Sequence, residues 1–196
     1  PLRVTDVKIN IKSKRLIGPI NLEIEQNGIS ILLGANGSGK TTLLEAIHGL
    51  RKLSAGKVEW TISNSLAAAE QAFVFQSPIM LRRTVAENLA FPLKVRRISK
   101  SVATTEAMIW AKKIGLEEKI KQQALLLSGG EMQAIAVARA LITKPKMLFL
   151  DEPTASLDGA TKKAIEDILI SASSNGTKIL MSTHDLGQAK RLAKDI

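Results

Sequence analysis

The sequence predicts an α/β domain with a mostly parallel central sheet, an antiparallel β edge layer and an inserted helical subdomain. Short apolar runs recur between helical stretches, as expected where helices connect parallel strands. Two segments near the N-terminus alternate more openly between apolar and polar residues, which is typical of an antiparallel layer with one solvated face. A long helical stretch then separates the first apolar run from the later ones.

The composition narrows the classes of function. With 196 residues the chain has about the length of one domain, and 28 Lys+Arg against 18 Asp+Glu give it a net charge of +10. This charge favours anionic partners: nucleotide phosphates, nucleic acid or an anionic membrane surface. The absence of cysteine excludes disulfides, Cys-ligated zinc, iron–sulfur clusters and thiol nucleophiles. We expect no membrane span, because no uncharged run reaches the roughly 20 apolar residues that a spanning helix needs, and no secretion signal, because no charged n-region followed by an apolar h-region opens the sequence.

Five strands are predicted from the apolar pattern. Runs too short for helices indicate buried strands at Ile29–Leu33, Met147–Leu150 and Lys178–Ser182. The alternating segments Leu2–Ile11 and Ile20–Ile24 suit the antiparallel layer. We therefore expect the first three to form the central sheet and the other two to form the edge.

The first helix and the subdomain boundaries follow from stop signals and periodicity. A helix is expected over Thr41–His48, ended by Gly49, and its His48 has no partner at metal-ligand spacing and is expected to be structural. The pattern is helical from about Ser77 to Thr143. We expect one domain over residues 1–196, with residues 1–76 and 144–196 as the sheet core with its N-terminal β layer and 77–143 as the helical subdomain.

Two helices of the subdomain carry recognisable ends. Thr84 and Glu87 have the spacing of a capping box before the helical segment Asn88–Leu93. The amphipathic segment Lys100–Ile114 is followed by Gly115, which favours a C-cap.

A glycine-rich segment between the first buried strand and the first helix carries the strongest motif. Gly34–Thr41 fits G-x-x-x-x-G-K-[ST], in the strand-to-helix context that a phosphate-binding loop requires. Its backbone N–H groups and the helix N-terminus would bind phosphates, Lys40 would reach the β- and γ-phosphates, and the Thr41 hydroxyl would ligate Mg²⁺. An ordinary glycine-rich turn is the alternative, but it gives no packing reason for the Lys-Thr pair.

Adjacent carboxylates end the second buried strand. Asp151 suits Mg²⁺, held directly or through water, and Glu152 suits the base that orients an attacking water. A cap before Pro153 is the alternative.

The segment Ser128-Gly129-Gly130 precedes a helix that runs to about Ile142. Ser128 and Glu131 also form a capping-box pattern, yet the same features expose a hydroxyl and bare amides at a helix N-terminus, which is a good phosphate receptor. Both interpretations stay open.

The phosphate loop, the Ser128-Gly129-Gly130 motif and the Asp151-Glu152 strand end, in this order, resemble the ATP-binding subunit of an ABC transporter, a P-loop NTPase. Further positions also match. Gln76 corresponds to the Q-loop glutamine and Asp158, in Ala155-Ser156-Leu157-Asp158, to the D-loop. His184 corresponds to the switch histidine that contacts the γ-phosphate, and Arg139 fits the end of the signature helix.

The resemblance implies the cofactors ATP and Mg²⁺ and a head-to-tail homodimer with ATP between the phosphate loop of one copy and Ser128-Gly129-Gly130 of the other. It implies catalytic roles for Glu152, His184, Lys40 and Gln76, and metal ligation by Thr41, Gln76 and Asp151. The residues expected to bind the nucleotide are Gly34, Ala35, Asn36, Gly37, Ser38, Gly39, Lys40, Thr41, Thr42, Ser128, Gly129, Gly130 and Asp158.

The resemblance further implies separate integral membrane subunits, a solute-binding protein and a location at the cytoplasmic face of the membrane. The segment Gln76–Val85 is similar to subunits of tungstate-type oxyanion importers. An ABC-type ATPase acting on nucleic acid or ribosomes is the alternative, but only a short segment separates Gln76 from Ser128 and there is one cassette. We expect no nucleic-acid partner. A degenerate regulatory module is disfavoured because Lys40, Asp151, Glu152 and His184 are present.

Two departures from the family carry expectations. Members usually have an aromatic residue some 25 positions before the phosphate-loop lysine, stacked on adenine, whereas this chain has no Tyr and its first aromatic residue is Trp60. In the matching stretch Ile11–Arg15, adenine would rest on an aliphatic side chain or on Arg15, so we expect GTP use beside ATP. The chain also ends at Ile196, where the family usually continues through another strand, so either this is a fragment or that strand is missing.

Overall fold

The structure is a computed structural model that describes residues 2–11, 14–25, 27–61, 68–155 and 157–194, with side chains for all of these except 11, 14 and 15. Its strands are β1 (Leu2–Ile11), β2 (Lys14–Ile24), β3 (Ile29–Leu33), β4 (Ala55–Trp60), β5 (Gln71–Val74), β6 (Met147–Asp151) and β7 (Lys178–Thr183). Its helices are α1 (Lys40–His48), α2 (Val85–Val95), α3 (Lys100–Lys113), α4 (Gly129–Leu141), α5 (Gly159–Ser174) and α6 (Leu186–Leu192).

A parallel sheet forms the centre, with strand order β3-β7-β6-β5, and its registers pair Leu33 with Thr183 and Asp151 with Ser182. This confirms the predicted α/β fold with a parallel central sheet. The carboxyl ends of all its strands meet at one edge, because neighbouring parallel strands run in the same direction. The phosphate loop, Gln76, Glu152 and His184 all follow these ends.

The central strands are buried on both faces, and their alternate side chains belong to two separate cores. One core packs α1 and β1 against the side chains of Met147, Phe149 and Leu180. The other packs the remaining helices against Leu148, Leu150 and Met181, among others. Burial on both sides explains why these strands appear in the sequence as continuous apolar runs.

The antiparallel layer is a second sheet with order β2-β1-β4, which confirms the predicted edge layer. Its third strand, β4, is not among the predicted strands. Gly56 in β4 has a φ of 83°, and a Cβ there would lie 2.4 Å from the backbone of Asp6. The strand is mostly exposed and therefore lacks the apolar alternation that predicts strands. β5 is also absent from the prediction because it has only four residues.

The helical subdomain differs from prediction at its beginning. Residues 77–84 are not helical, and α2 begins only at Val85, after the N-cap Thr84. The capping box is confirmed: the Glu87 backbone N–H donates to Thr84 Oγ1 at 3.2 Å, and the Thr84 N–H donates to Glu87 Oε2 at 3.0 Å. α2 is longer than the predicted Asn88–Leu93 because helical geometry starts directly after the cap.

Side chains from two helices hold the non-helical segment in place. Arg139 on α4 donates to the Ile79 carbonyl at 2.7 Å. The buried Asn88 amide donates to the carbonyls of Leu81 and Thr84 at 3.2 and 3.0 Å. These bonds tie the chain after Gln76 to α2 and to α4, the helix that follows the N-cap Ser128. Within the described residues, no helix combines the length and the apolarity needed to cross a bilayer.

His48, the last residue of α1, is half-buried and packs its ring against the core, as expected for a structural residue. The His48 ring packs edge-on against Phe73 and Phe149, with centroid distances of 5.4 and 5.2 Å. Its buried Nδ1 has no hydrogen-bond partner among the described residues. Burial therefore lowers the pKa of His48 below its ordinary value of 6.5.

Acidification is expected to destabilise the fold through His48. Between its lowered folded pKa and its unfolded value of 6.5, the unfolded chain binds more protons at this residue, so stability falls as the pH drops through this window. Urea denaturation at pH 7.5 and pH 5.5 checks this, with His48→Gln expected to remove most of the difference. Equal pH dependence in wild type and His48→Gln would contradict the prediction.

Candidate functional site

The glycine-rich loop between β3 and α1 wraps around the Lys40 side chain. Lys40 Nζ donates to the carbonyls of Gly34 and Ala35 at 2.8 and 3.0 Å. Gly39, the N-cap of α1, has a φ of 97°, and a Cβ there would lie 2.9 Å from the Ile17 side chain. No side chain caps the first turn of α1, so its N–H groups point into the loop and suit an anion.

A cavity of about 400 Å³ lies over this loop. Its lining consists of Leu16, Asn36, Gly37, Gly39, Lys40, Thr41, Thr42, Gln76 and Glu152. The structure thus brings together the predicted loop, the predicted glutamine and the predicted base. Gln76 reaches the cavity because it follows β5 at the same sheet edge as the loop.

Side-chain oxygen atoms that could ligate a cation lie close together beside the first turn of α1. The Thr41 hydroxyl donates to Asp151 Oδ2 at 2.7 Å, and the Ser182 hydroxyl donates to Asp151 Oδ1 at 2.6 Å. Asp151 is 3% exposed, so its carboxylate is fixed on both sides. A hydroxyl beside a carboxylate is a set of hard oxygen donors that fits Mg²⁺.

Glu152 lies between two basic groups. Its Oε1 is 3.0 Å from Lys40 Nζ, and its Oε2 is 2.9 Å from His184 Nδ1. Burial opposes ionisation, but the hydrogen bonds from Lys40 and His184 outweigh it and hold the pKa of the Glu152 carboxyl below its ordinary value. An ionised carboxylate at this position can accept a proton.

The backbone at Glu152 adopts a strained conformation. Its φ of 43° is left-handed, which is uncommon for a residue other than glycine. The Glu152 N–H donates to Ser182 Oγ at 3.0 Å, so one hydroxyl holds both the Asp151 carboxylate and the start of this turn. Ser182 was not predicted as a site residue; a polar side chain at the end of a buried apolar run is the signal that indicates it.

Ser128, Gly129 and Gly130 are placed elsewhere and do not contribute to the lining of the cavity. They begin α4, where the predicted capping box forms: the Glu131 N–H donates to Ser128 Oγ at 3.3 Å, and the Ser128 N–H donates to Glu131 Oε2 at 2.9 Å. The ion pair with Lys119 and the Ser128 N–H lower the pKa of Glu131.

Asp158 also lies away from the lining of this cavity. It caps α5, and its Oδ1 accepts from the N–H groups of Ala160 and Thr161 at 3.0 Å. Its nucleotide role stays a prediction. Ser156 and the side chain of Arg15 lie outside the described residues, so the predictions on them also stay predictions. Leu16, directly after the stretch predicted to face adenine, lines the cavity.

The sequence of the chain is similar to those of known transporter subunits. The family model described as ABC transporter matches residues 17–155. The tungstate uptake system ATP-binding protein TupC of Peptoclostridium acidaminophilum is 36% identical, over 100% of this chain and 92% of its own length. The phosphate import ATP-binding protein PstB of Campylobacter jejuni is 35% identical, over 97% of this chain and 83% of its own length.

Solved structures share the fold. An ATP-binding subunit of an ABC transporter aligns with a TM-score of 0.86 over 98% of this chain and 82% of its own, at 21% identity. A dimeric ATP-binding cassette in a post-hydrolysis state, bound to ADP and Pi, aligns with a TM-score of 0.85 over 98% and 91%, at 26% identity. The chain therefore belongs to the ABC transporter family, as an ATP-binding subunit whose activity is ATP hydrolysis.

Proposed function

We propose that the chain binds ATP with Mg²⁺, hydrolyses it with Glu152 as general base in a head-to-tail homodimer, and powers solute import through separate membrane subunits. The observation that carries the proposal is the position of Glu152, between Lys40 and His184 and next to the Thr41–Asp151 pair. The groups proposed to bind phosphate, to ligate a cation and to act as the base all lie at one edge of the sheet.

Each side chain has a role that its surroundings support. Lys40 and the α1 N-terminus bind the phosphates, and Lys40 is shared between these and Glu152. Thr41 and Asp151 would hold Mg²⁺, with Gln76 as a further ligand, and the ion supplies charge neutralisation at the transferred phosphoryl group. With Nδ1 of His184 donating to Glu152, the other ring nitrogen, Nε2, would be available to contact the γ-phosphate. Glu152 accepts the proton of the attacking water.

The homodimer is supported by the separation of the two phosphate-binding elements. The α4 N-terminus carries Ser128 but does not line the cavity over the phosphate loop, so a second copy would have to bring it there. The solved cassette bound to ADP and Pi is dimeric. Closure of such a dimer would complete the site and move the attached subunits.

A groove of about 530 Å³ supports the proposal of a membrane partner. The groove lies between β5 and the helical subdomain, beside the segment that comes after Gln76. Ile79 on its rim is 72% exposed. Its lining is apolar apart from a few polar side chains, Arg96 and Arg139 among them. Such a surface fits a short amphipathic segment of another protein. We therefore propose that the membrane subunit docks here, at the cytoplasmic face of the membrane.

The solute is proposed to be tungstate or a related oxyanion. The relatives named for tungstate and phosphate are 36% and 35% identical, and one named for arginine transport, from Haemophilus influenzae, is 35% identical. All three names describe transport of small solutes, which does not favour an ATPase acting on nucleic acid or ribosomes. A separate solute-binding protein is part of this proposal.

Affinity capture of tagged Glu152→Gln protein with ATP, from detergent-solubilised native cells, tests the proposal. We expect a polytopic membrane protein and a solute-binding protein, and calorimetry of the latter with tungstate and phosphate then identifies the solute. Ile79→Lys is expected to abolish capture, whereas Ile170→Lys, an exposed apolar position on α5 outside the groove, is the control. Recovery of ribosomal or DNA-associated proteins alone would overturn the transport proposal.

The nucleobase selectivity is expected to be low. Leu16 offers the cavity an aliphatic contact, 47% exposed, where an aromatic ring would add roughly 0.5–1.5 kcal/mol of stacking. We therefore expect kcat/KM for GTP within about tenfold of that for ATP, and Leu16→Tyr to tighten nucleotide binding by about two- to tenfold. Phosphate release at increasing concentrations of ATP or GTP measures kcat/KM, and competition of unlabelled nucleotide for a fluorescent one measures the affinity. Strong ATP selectivity of the wild type would contradict the prediction.

A further inference from the structure

A buried network of hydrogen bonds joins the two loops that carry the proposed catalytic side chains. Its centre is Gln188 on α6, which is 1% exposed. The Gln188 Oε1 accepts from Thr183 Oγ1 at 2.9 Å. Its Nε2 donates to Thr154 Oγ1 at 2.7 Å and to Glu166 Oε1 at 2.9 Å. Both N–H groups and the carbonyl of this amide are therefore engaged.

On one side the network frames the loop that holds His184. Thr183 Oγ1 donates to the Gln188 amide and accepts from the Asp185 N–H at 3.1 Å. The Gln188 N–H in turn donates to Asp185 Oδ1 at 2.9 Å. The residues before and after His184 are thus both fixed relative to α6, although the histidine ring itself is partly exposed.

On the other side the network holds the turn that begins at Glu152. Thr154 is buried and is separated from Glu152 only by Pro153, whose ring restricts the backbone. The bond from Gln188 Nε2 to Thr154 Oγ1 therefore links the position of this turn to that of the His184 loop. The separation of the two loops determines whether His184 Nδ1 stays 2.9 Å from Glu152 Oε2.

The outer part of the network consists of charged side chains that form ion pairs with one another. The Arg191 guanidinium donates to Glu166 Oε1 at 2.9 Å, so the buried carboxylate that accepts from Gln188 has a cationic partner. Next to it, Lys162 pairs with Asp185. That ammonium and the Gln188 N–H lower the pKa of Asp185 to about 2, so its charge is constant at neutral pH.

We propose that Gln188 is a positioning residue for hydrolysis, which acts through Thr183 and Thr154 to keep His184 at hydrogen-bond distance from Glu152. The inference rests on the roles proposed above for Glu152 and His184 and goes beyond them, because Gln188 contacts neither side chain. Only a side-chain amide offers two donors and one acceptor in this geometry. A carboxylate at this position lacks the donors, and an apolar side chain lacks all three functions.

Gln188→Leu tests the role directly. We expect kcat for ATP to fall by about tenfold, because an outer hydrogen bond that orients a reacting group has an effect of this order. The Kd for ATP is expected to change by less than about twofold, since the phosphate contacts of Lys40 and Thr41 lie outside the network. Steady-state kinetics and fluorescent-nucleotide binding on the full chain measure the two values. A loss of affinity with unchanged kcat would overturn the proposal.

Gln188→Glu keeps the proposal testable if the apolar variant fails to fold. The introduced carboxyl faces Glu166, with Arg191, Lys162 and Asp185 as the other charged groups nearby on α5 and α6. Repulsion between the two carboxylates raises the pKa of the introduced one, and its protonated form restores a donor. We expect kcat of the variant, relative to wild type, to rise about threefold or more from pH 8.5 to pH 6.5. A constant ratio would overturn the proposal.

A matched control separates positioning from stability. Ala189→Gly weakens the same helix at a buried position without touching the network, so we expect a lower thermal midpoint and unchanged kcat. If Ala189→Gly lowers kcat as much as Gln188→Leu, the effect is one of stability and the proposal fails. If Glu152→Gln keeps wild-type turnover, the catalytic assignment fails; if it stops turnover while the Gln188 variants stay fully active, only the present inference fails.

Discussion

Glu152→Gln is expected to stop ATP hydrolysis while ATP binding is retained. A glutamine side chain cannot accept the proton of the attacking water, and loss of a general base lowers the rate by about 10²- to 10⁴-fold. The amide oxygen can still accept from Lys40, so the phosphate loop keeps its arrangement. Phosphate release under saturating ATP measures turnover, and a fluorescent ATP analogue measures binding.

The matched control for this variant is Glu45→Gln. Glu45 lies on α1, close in sequence to the phosphate loop, but it pairs with Arg51 and does not contribute to the cavity lining. We expect this variant to hydrolyse ATP at the wild-type rate. If Glu152→Gln also turned ATP over at that rate, the assignment of the base would be wrong.

Lys40→Ala is expected to weaken nucleotide binding by about 10- to 100-fold, because a charge-assisted bond to a phosphate contributes about 1.5–3 kcal/mol. Lys40 is 9% exposed and reaches the loop carbonyls and Glu152, so its ammonium lies at the centre of the site. Isothermal titration with ATP and Mg²⁺ measures the change in Kd.

Lys52→Ala serves as the control for Lys40→Ala. This lysine is exposed and follows α1, so the variant removes the same charge from the chain without touching the phosphate loop. We expect its Kd for ATP to stay within about twofold of wild type, because a solvated charge at a distance is screened. A Kd for Lys40→Ala equally close to wild type would contradict the role given to this lysine.

Several parts of the fold were predictable because their signals are local. The run Ile29–Leu33, the glycine-rich loop and the following helix appear in the structure as predicted, since an apolar run and a glycine-rich turn are recognised from adjacent residues. The capping boxes at Thr84 and Ser128 are confirmed for the same reason. β4 was not predicted, because it is stabilised by pairing with β1 rather than by an apolar pattern of its own.

The residues that support the site were harder to predict. Ser182 is a polar residue at the end of a predicted strand, and Gln188 lies in a segment for which no helix was predicted. Their roles depend on partners that are distant in sequence, such as Asp151 for Ser182 and Thr154 for Gln188. No local pattern indicates such pairs, because parallel strands bring distant segments together only when the sheet forms.

The sequence by itself determined which residues are candidates for the chemistry of this protein: the glycine-rich loop with Lys40, the Asp151-Glu152 strand end and the histidine at position 184. These depend on residue type and short spacing. Only the tertiary structure decided that Glu152 lies between Lys40 and His184, that Leu16 faces the cavity and that Gln188 links two loops. The physical reason is that strand order and register, which set these distances, result from packing of the whole sheet between its two cores.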